Sequence, residues 1–544
     1  MSQKSRVTQS RNQWKHKASQ RAGRIRYLDR EMGRVKKERD GFKEKLKETE
    51  ARLVQMEARG QGVVVQRKAD LVYLALQLFS VARIGFRAVS RVLSVLAEPL
   101  GIEKPPCPQT VINWVTRLSL VRIRAASTLK GLPMECARFS NGLIWLIDMS
   151  IALGTGKILT VLALNARHHQ INQGAPGFQN VYCIAVSVAD SWTGEHIASF
   201  LERLIGIMGR PAAYLKDAGT DLKKAHRLLD ERGLGSLSID DISHVIANLL
   251  KYWYCDDPIL RYRRVETFLS ACGRVAGNLK QTILACLAPP KVRTKARFMN
   301  VHRLIKWAEQ LLKLSPPGGA RAGSVLSKLR ACLDTLPDCR AFIKRFLADA
   351  RPLLECQKIL KTEGLSHTTL AQCESIIQSI PSPGLRRGIS DYLHRQLDTA
   401  KALGLDEIGM PITSDQMESL YGLAKQHGVG EIKDADRIAL RLPALCGIPN
   451  RSEAEQVLGI SVADQKKITD SFTSLIKQRR EVLPNPDRLE DLGAYQVQPH
   501  IELIPVSKNR SKNPELVHLS TSYPKSHGPQ NGLDPGCLIE CHSP

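Results

Sequence analysis

The stretch Gly142–Leu153, GLIWLIDMSIAL, constrains this chain more than any other: it is a continuous apolar run broken by a single carboxylate, Asp148. Such a run reads as a strand, and a charge inside it is costly unless it is paired or bound to a metal. Backbone amides or an arginine could also hold a buried Asp there. A Gly-Thr-Gly turn leads to a second strand-like run, KILTVLALN, and VYCIAVSVA makes a third. The pattern then alternates. TGEHIASFLERLIGIMG is a helix with Thr193 as its cap, and AAYLKDAG is a short strand ending in Asp217. DLKKAHRLLDERG is a second helix, followed by the short run SLSIDDISHV. Two hairpin-like connections followed by strand–helix units predict a mixed sheet flanked by helices. Parallel neighbouring strands would bring Asp148 and Asp217 to one end of it.

The flanks read differently. Over residues 10–60 apolar residues recur at steps of three and four: Ile25, Leu28, Met32, Val35, Phe42, Leu46, Leu53 and Met56. That heptad pattern predicts a coiled coil and self-association, the alternative being a single basic helix lying along DNA or another domain. Residues 63–130 contain helical patterns ending in PQTVINWVTRLSL, the layout of a helix-turn-helix DNA reader. In that reading Gln109, Thr110 and Asn113 face bases, and Arg117, Arg122 and Arg124 reach phosphates. A plain helical bundle packing Val111, Trp114 and Leu118 is the competing reading. Residues 251–408 carry almost no strand signal and predict an all-helical block. SDQMESLYGLAKQHG, at 414–428, makes one more helix.

The expected organisation is therefore a basic coiled-coil helix at 1–62 and a helix-turn-helix domain at 63–130. The first part of an α/β core follows at 140–250, then an all-helical insertion at 251–408. Further helices occupy 409–482, with a polar tail expected to be disordered at 483–544. The 544 residues carry 79 Lys and Arg against 53 Asp and Glu, a net charge of +26, which points to a polyanionic partner such as DNA. No run is apolar enough for a membrane span, and MSQKSRVTQSRNQWKHK has no secretory signal. Thirteen cysteines without CxxC pairs fit a reduced intracellular protein. Cys537, Cys541 and His542 lack a second ligand pair for zinc. No GxxxxGK[ST] loop is present, so no nucleotide cofactor is implied.

These segments together resemble the DDE transposases of insertion sequences. DAGTDLKKA, with Asp217, is similar to their second-Asp segment. DISH, from Asp241 to His244, matches the D(2)H element that several such families carry after the last strand. SDQMESLYGLAK resembles their final Glu helix, with Glu418 and, seven residues on, Lys425. The resemblance spans about residues 60–430. It implies a helix-rich protein with an α/β mixed-sheet, RNase H-like catalytic core and a large all-α insertion before the Glu helix. It implies two Mg²⁺ ions, with Mn²⁺ as a substitute, held by Asp148, Asp217 and Glu418. Asp241 and His244 join the catalytic set and Lys425 contacts DNA near the cut. The activity implied is cleavage of double-stranded DNA at element ends, then transfer of the 3′-OH into target DNA by a homodimer or larger homo-oligomer. The implied setting is cytoplasmic, in a bacterial nucleoid. A metal nuclease without strand transfer and a non-catalytic DNA-binding protein are the alternatives. One departure stands out: members with a Tyr and an Arg before the Glu would place them at 411 and 414, where this chain has Pro411 and Ser414. Among lesser candidates, Asp240 competes with Asp241, Asp221 reads as a helix cap or a ligand, and Trp253 and Trp307 read as core residues or base-stacking platforms.

Overall fold

A computed structural model describes residues 67–131, 141–151, 156–217, 219–256, 263–280, 282–291, 297–314, 319–426, 435–469 and 501–505, with scattered positions between 14 and 47. It divides into two units, Met1–Lys68 with Val95–Pro105 and Ala69–Ser94 with Pro106–Pro544. In the first unit the described positions between Trp14 and Lys47 are helical and exposed. The rest of the predicted coiled-coil seam lies outside the described residues. The second unit holds a single six-stranded mixed sheet among many helices.

Helix α1 spans Lys68–Ser80, α2 Phe86–Val95 and α3 Pro108–Ala126. Three long strands follow: β1 (Leu143–Ile151), β2 (Lys157–Asn165) and β3 (Val181–Ala189). They form an antiparallel meander in which Asp148 lies opposite Thr160. Helix α4 (Gly194–Met208) starts at its predicted cap, where the Thr193 hydroxyl accepts the His196 N–H, and stops at Gly209 with φ +80. Next come β4 (Ala213–Lys216), α5 (Thr220–Glu231), β5 (Leu237–Asp240) and α6 (Ile242–Lys251). Strands β4 and β5 run parallel to β1, giving the order β5-β4-β1-β2-β3-β6. The strand and helix order read from the sequence is the order observed, apart from a short helix at His168–Ile171 between β2 and β3 that the sequence reading did not include.

Side chains alternate across a strand, and β1 uses both faces. Trp145 and Ile147 belong to a core cluster with Phe200, Leu201 and Leu204 of α4 and Leu222 and Leu229 of α5. Trp145 meets the Tyr214 ring edge-on, with centroids 6.1 Å apart. Burying side chains of this size contributes about 1.5–3 kcal/mol each and fixes the register of β1. Asp148, one residue on, must then face the other side of the sheet.

Between Lys251 and Met410 the described residues form helices and turns, apart from one isolated bridge. The main helices are α7 (Arg263–Leu279), α8 (Arg297–Leu314), α9 (Val325–Leu333), α10 (Arg340–Glu363), α11 (His367–Ile377) and α12 (Pro383–Leu403). The buried Asp349 carboxylate ties this block together: it accepts from the Tyr254 hydroxyl at 2.5 Å, the Ser382 hydroxyl at 2.6 Å and the Ser382 N–H at 3.0 Å. The bridge pairs Leu365 with Met410. It requires glycine on both sides, because Gly364 and Gly409 have φ +76 and +101 and a Cβ on Gly409 would sit 2.3 Å from the Glu363 carbonyl oxygen. The indole N–H of Trp253 donates to Ser382 and that of Trp307 to Leu287, which makes both packing residues.

The chain continues through α13 (Asp415–Gln426), α14 (Ala435–Ala439), α15 (Leu442–Leu445), α16 (Arg451–Gly459) and α17 (Val462–Thr469). The polar tail then departs from expectation. Strand β6 (Ile501–Leu503) adds to the edge of β3, with Ile501 and Leu503 buried. The Ser187 hydroxyl donates to the Ile501 carbonyl, and Arg203 pairs with Glu502 at 2.6 Å. Two alternating apolar residues suffice for a short edge strand, and the polar composition around them concealed it.

The helix-turn-helix reading also needs correction. The connection between α2 and α3 is residues 96–107, far longer than the roughly three- or four-residue turn of that motif. Helix α3 is a packing helix, with Val111, Trp114 and Leu118 buried. Arg122 makes a largely buried ion pair with Glu453 at 2.8 Å and donates to the Ala444 carbonyl. Asn113 and Arg117, expected to contact DNA, both bond the Gln465 side chain of α17, at 2.8 Å each. Gln109 donates to Asn113 at 3.1 Å, and Thr110 meets Cys107 at 3.2 Å. No helix among the described residues is long and apolar enough to cross a membrane.

Candidate active site

Two parallel strands and two helices bring the acidic residues together. Ile147 of β1 is the register partner of Lys216 of β4, so the following residues, Asp148 and Asp217, leave neighbouring strands side by side. Asp217 turns back to accept the Gly219 N–H at 2.9 Å, which sets the start of α5. Helix α5 has Gly219 at its cap position, so Asp221 lies in the first turn and is not the cap.

Asp148 is the group most altered by its surroundings. Its carboxyl is pushed up from 3.8 to about 7, first by burial and then by the negative charge of Asp217, with Glu418 adding to it. His244 and the Met149 N–H, 2.6 Å from Oδ1, act in the opposite direction. Asp148, Asp217, Glu418 and His244 therefore share one electrostatic environment. Among the described residues, only His367, Asp406 and Glu407 form a group whose ligand atoms all lie within 4.8 Å of one another, so the three carboxylates at Asp148 are more widely spaced than that.

The donor set suits a divalent cation. Mg²⁺ and Mn²⁺ prefer carboxylate oxygens, and a buried acid beside two others gains most from added positive charge. The sign of the pH dependence follows from Asp148. Its folded value lies above its unfolded one, so the folded chain holds the proton more tightly through the interval from about 4 to about 7. This carboxyl's own contribution to the stability of the metal-free protein is greatest below that interval and is lost as pH rises through it, so wild type is expected to lose stability relative to Asp148→Asn over that range. Thermal melts of both proteins in chelator across this range check it, and a stability difference that did not change with pH would contradict it.

Helix α13 presents Glu418 and Lys425. Its seat is Tyr421, which sequence reasoning passed over. The Tyr421 hydroxyl lies 3.1 Å from the Asp148 carbonyl oxygen and 3.4 Å from that of Ile158, joining α13 to β1 and β2 beside the acid. Burial, and then the negative charge of Asp148, push the Tyr421 hydroxyl's pKa well above the usual tyrosine value. The Lys425 ammonium donates to Ser150 of β1 at 3.0 Å and lies 6.0 Å from the Tyr421 ring centre. The spacing 418, 421, 425 follows one helix face and was the available signal. Tyr421→Phe is expected to cost about 1 kcal/mol of stability, the usual worth of one such hydrogen bond. A loss under a few tenths in urea denaturation would remove Tyr421 as the seat of the helix.

Asp241 takes a different place from the catalytic one expected of it. It is buried and caps α6, accepting the His244 N–H at 2.9 Å through one oxygen. Its other oxygen accepts from the Ser414 N–H at 2.6 Å and the Ser414 hydroxyl at 3.0 Å. Both oxygens are thus committed to the clamp that fixes the start of α13. Ser414 supplies two donors to it. Asp240 pairs instead with the buried Lys216 at 3.3 Å. Asp415 completes the anchoring, bonding Ser243 of α6 at 3.2 Å and Lys361 of α10 at 2.5 Å.

No protein-family profile matches the chain, and no curated protein matches it. Among solved structures it is similar to the Drosophila P element transposase strand transfer complex, with 12% sequence identity and a TM-score of 0.37 over 76% of this chain and 99% of that one. A likeness of this size carries no argument about activity.

Proposed function

We propose that this chain is a DNA transposase with an RNase H-like core, cutting and joining phosphodiester bonds at the centre formed by Asp148, Asp217 and Glu418. The supporting observation is the state of Asp148, a strand carboxyl held near 7 by burial and by two further carboxylates. Acid crowding of this kind stands out from structural ion pairs, which lower a carboxyl's value. Asp148, Asp217 and Glu418 would hold two Mg²⁺ ions, with Mn²⁺ as a substitute. When bound, the ions supply activation of the attacking oxygen and stabilisation of the departing one.

The chain's own residues do the positioning. His244, at the first turn of α6, adds positive potential beside Asp148, and Lys425 places an ammonium at the end of β1 where a DNA phosphate would lie. The reaction balances without a covalent protein intermediate. Water breaks one P–O bond at the element end and leaves a 3′-OH, which then attacks a target phosphodiester as that strand's 3′ oxygen departs. Two ends must be held at once, which we assign to self-association through the heptad-patterned segment at 10–60.

The test is to incubate the chain with Mg²⁺ and plasmid DNA carrying the sequences that flank its own gene. Nicked donor and joined product are expected, both lost with chelator and in Asp217→Asn and Glu418→Gln. Cleavage without joining would leave a metal nuclease, and Mg²⁺-independent DNA binding alone would leave the non-catalytic reading.

A further inference from the structure

The connection from the helical block to α13 carries a second, smaller group of metal-type donors. His367, at the start of α11, lies with Asp406 and Glu407, just past the end of α12, and one ligand atom from each falls within 4.8 Å of the other two. We propose that this group binds one ion of the Zn²⁺ class, and that the ion staples the start of α11 to the connection that delivers Glu418. The site shares no residue with the acidic centre, and the proposal does not rest on the transposase reading.

Donor chemistry decides the ion. One imidazole with two carboxylates is a borderline set that favours Zn²⁺ or Co²⁺ over Mg²⁺. Three protein ligands leave a fourth tetrahedral position for water. His367 Nε2 is 3.3 Å from Asp406 Oδ2. Ligands about 2.0–2.2 Å from a tetrahedral ion lie roughly 3.3–3.5 Å apart, so this pair already has the required spacing. Glu407 is exposed, and rotation of its side chain closes the remaining gap.

The backbone beneath the ligands is fixed. The Leu365 N–H donates to the Met410 carbonyl at 2.8 Å, the Met410 N–H donates back at 2.9 Å, and the His367 N–H donates to the Asp406 carbonyl at 2.9 Å. Three hydrogen bonds thus hold the two ligand-bearing segments in register, which lowers the cost of binding. Charge gives an independent argument. The chain has a net charge of +26, yet among the described residues neither Asp406 nor Glu407 pairs with a lysine or arginine. A divalent ion supplies the positive charge that the chain itself leaves out there. Beyond Met410, the Ile412 carbonyl accepts the Ile242 N–H at 3.1 Å and Ser414 is held by Asp241. The ion would therefore brace the outer end of the segment whose inner end starts α13.

The test dialyses the full chain against micromolar Zn²⁺ in excess Mg²⁺ and a non-chelating reductant, then counts bound zinc. One equivalent is expected to be present in wild type and Asp148→Asn and absent in His367→Asn and Glu407→Gln, whose affinity should fall about tenfold or more. Both substituted side chains are exposed, so metal-free melting temperatures should match wild type. Zn²⁺ should raise the melting temperature of wild type and not of these two variants. An equivalent that survives both substitutions, or that vanishes in Asp148→Asn, places the ion elsewhere and overturns the proposal. So does the lack of any zinc difference between wild type and the variants up to millimolar Zn²⁺, which would leave a surface ion pair only. Zinc bound at these residues without a rise in melting temperature overturns the staple.

Discussion

Asp148→Asn is expected to stabilise the metal-free protein at neutral pH while abolishing DNA cleavage. The wild-type carboxyl, raised from 3.8 to about 7, opposes folding above that pH by up to roughly 4 kcal/mol, the shift multiplied by about 1.4 kcal/mol per unit. An amide carries no charge to be repelled by Asp217 and Glu418 and keeps an acceptor for the Met149 N–H. The variant should therefore lose the fall in stability between about pH 4 and 7 and melt higher than wild type at pH 8 in chelator. Added Mg²⁺ should raise the wild-type melting temperature and leave the variant nearly unmoved, since ligand binding to the folded state stabilises it. Cleavage should drop by at least about a thousandfold, as expected when charge stabilisation at a reacting centre is removed. A variant melting below wild type under these conditions would show that Asp148 is a structural acid.

The second large effect is at Asp241. Asp241→Ala is expected to cost about 3–4 kcal/mol, because it removes a helix cap worth about 1–2 kcal/mol and leaves the Ser414 N–H without its partner. Activity should fall with stability, since α6 and the start of α13 lose their shared anchor. Asp241→Asn keeps one carbonyl oxygen as an acceptor and should recover part of both. Urea denaturation with cleavage measured well below the melting point separates the two possible roles. If Asp241→Asn folds as tightly as wild type yet cuts no DNA, Asp241 belongs to the reacting groups and the clamp reading fails.

What the sequence revealed and what it hid divide along local and distant interactions. The strand carrying Asp148 was legible because one carboxylate in an apolar run has few explanations. The DISH segment was read as a catalytic element, and nothing in it showed that both Asp241 oxygens are engaged, by the His244 N–H and by Ser414. Helix α3 was misread for a similar reason. A basic amphipathic helix looks the same whether its cations meet phosphates or protein. Arg122 meets Glu453 and Arg117 meets Gln465, partners 331 and 348 residues away. No local pattern encodes such pairings. Tyr421 was missed because attention to charge on α13 overlooked an aromatic on the same face.

The clamp between Asp241 and Ser414 joins residues 173 apart in sequence. Closing a loop of that length costs about 4–5 kcal/mol of chain entropy, and contacts of such long range form late. Asp148 and Asp217 can meet as soon as β1 and β4 pair, whereas Glu418 must wait until the helical block has folded and its two ends have come together. A partly folded or truncated chain thus holds two of its three acids and lacks the last. On the proposed function, a half-made molecule would lack the third acid of its centre and could not cut DNA.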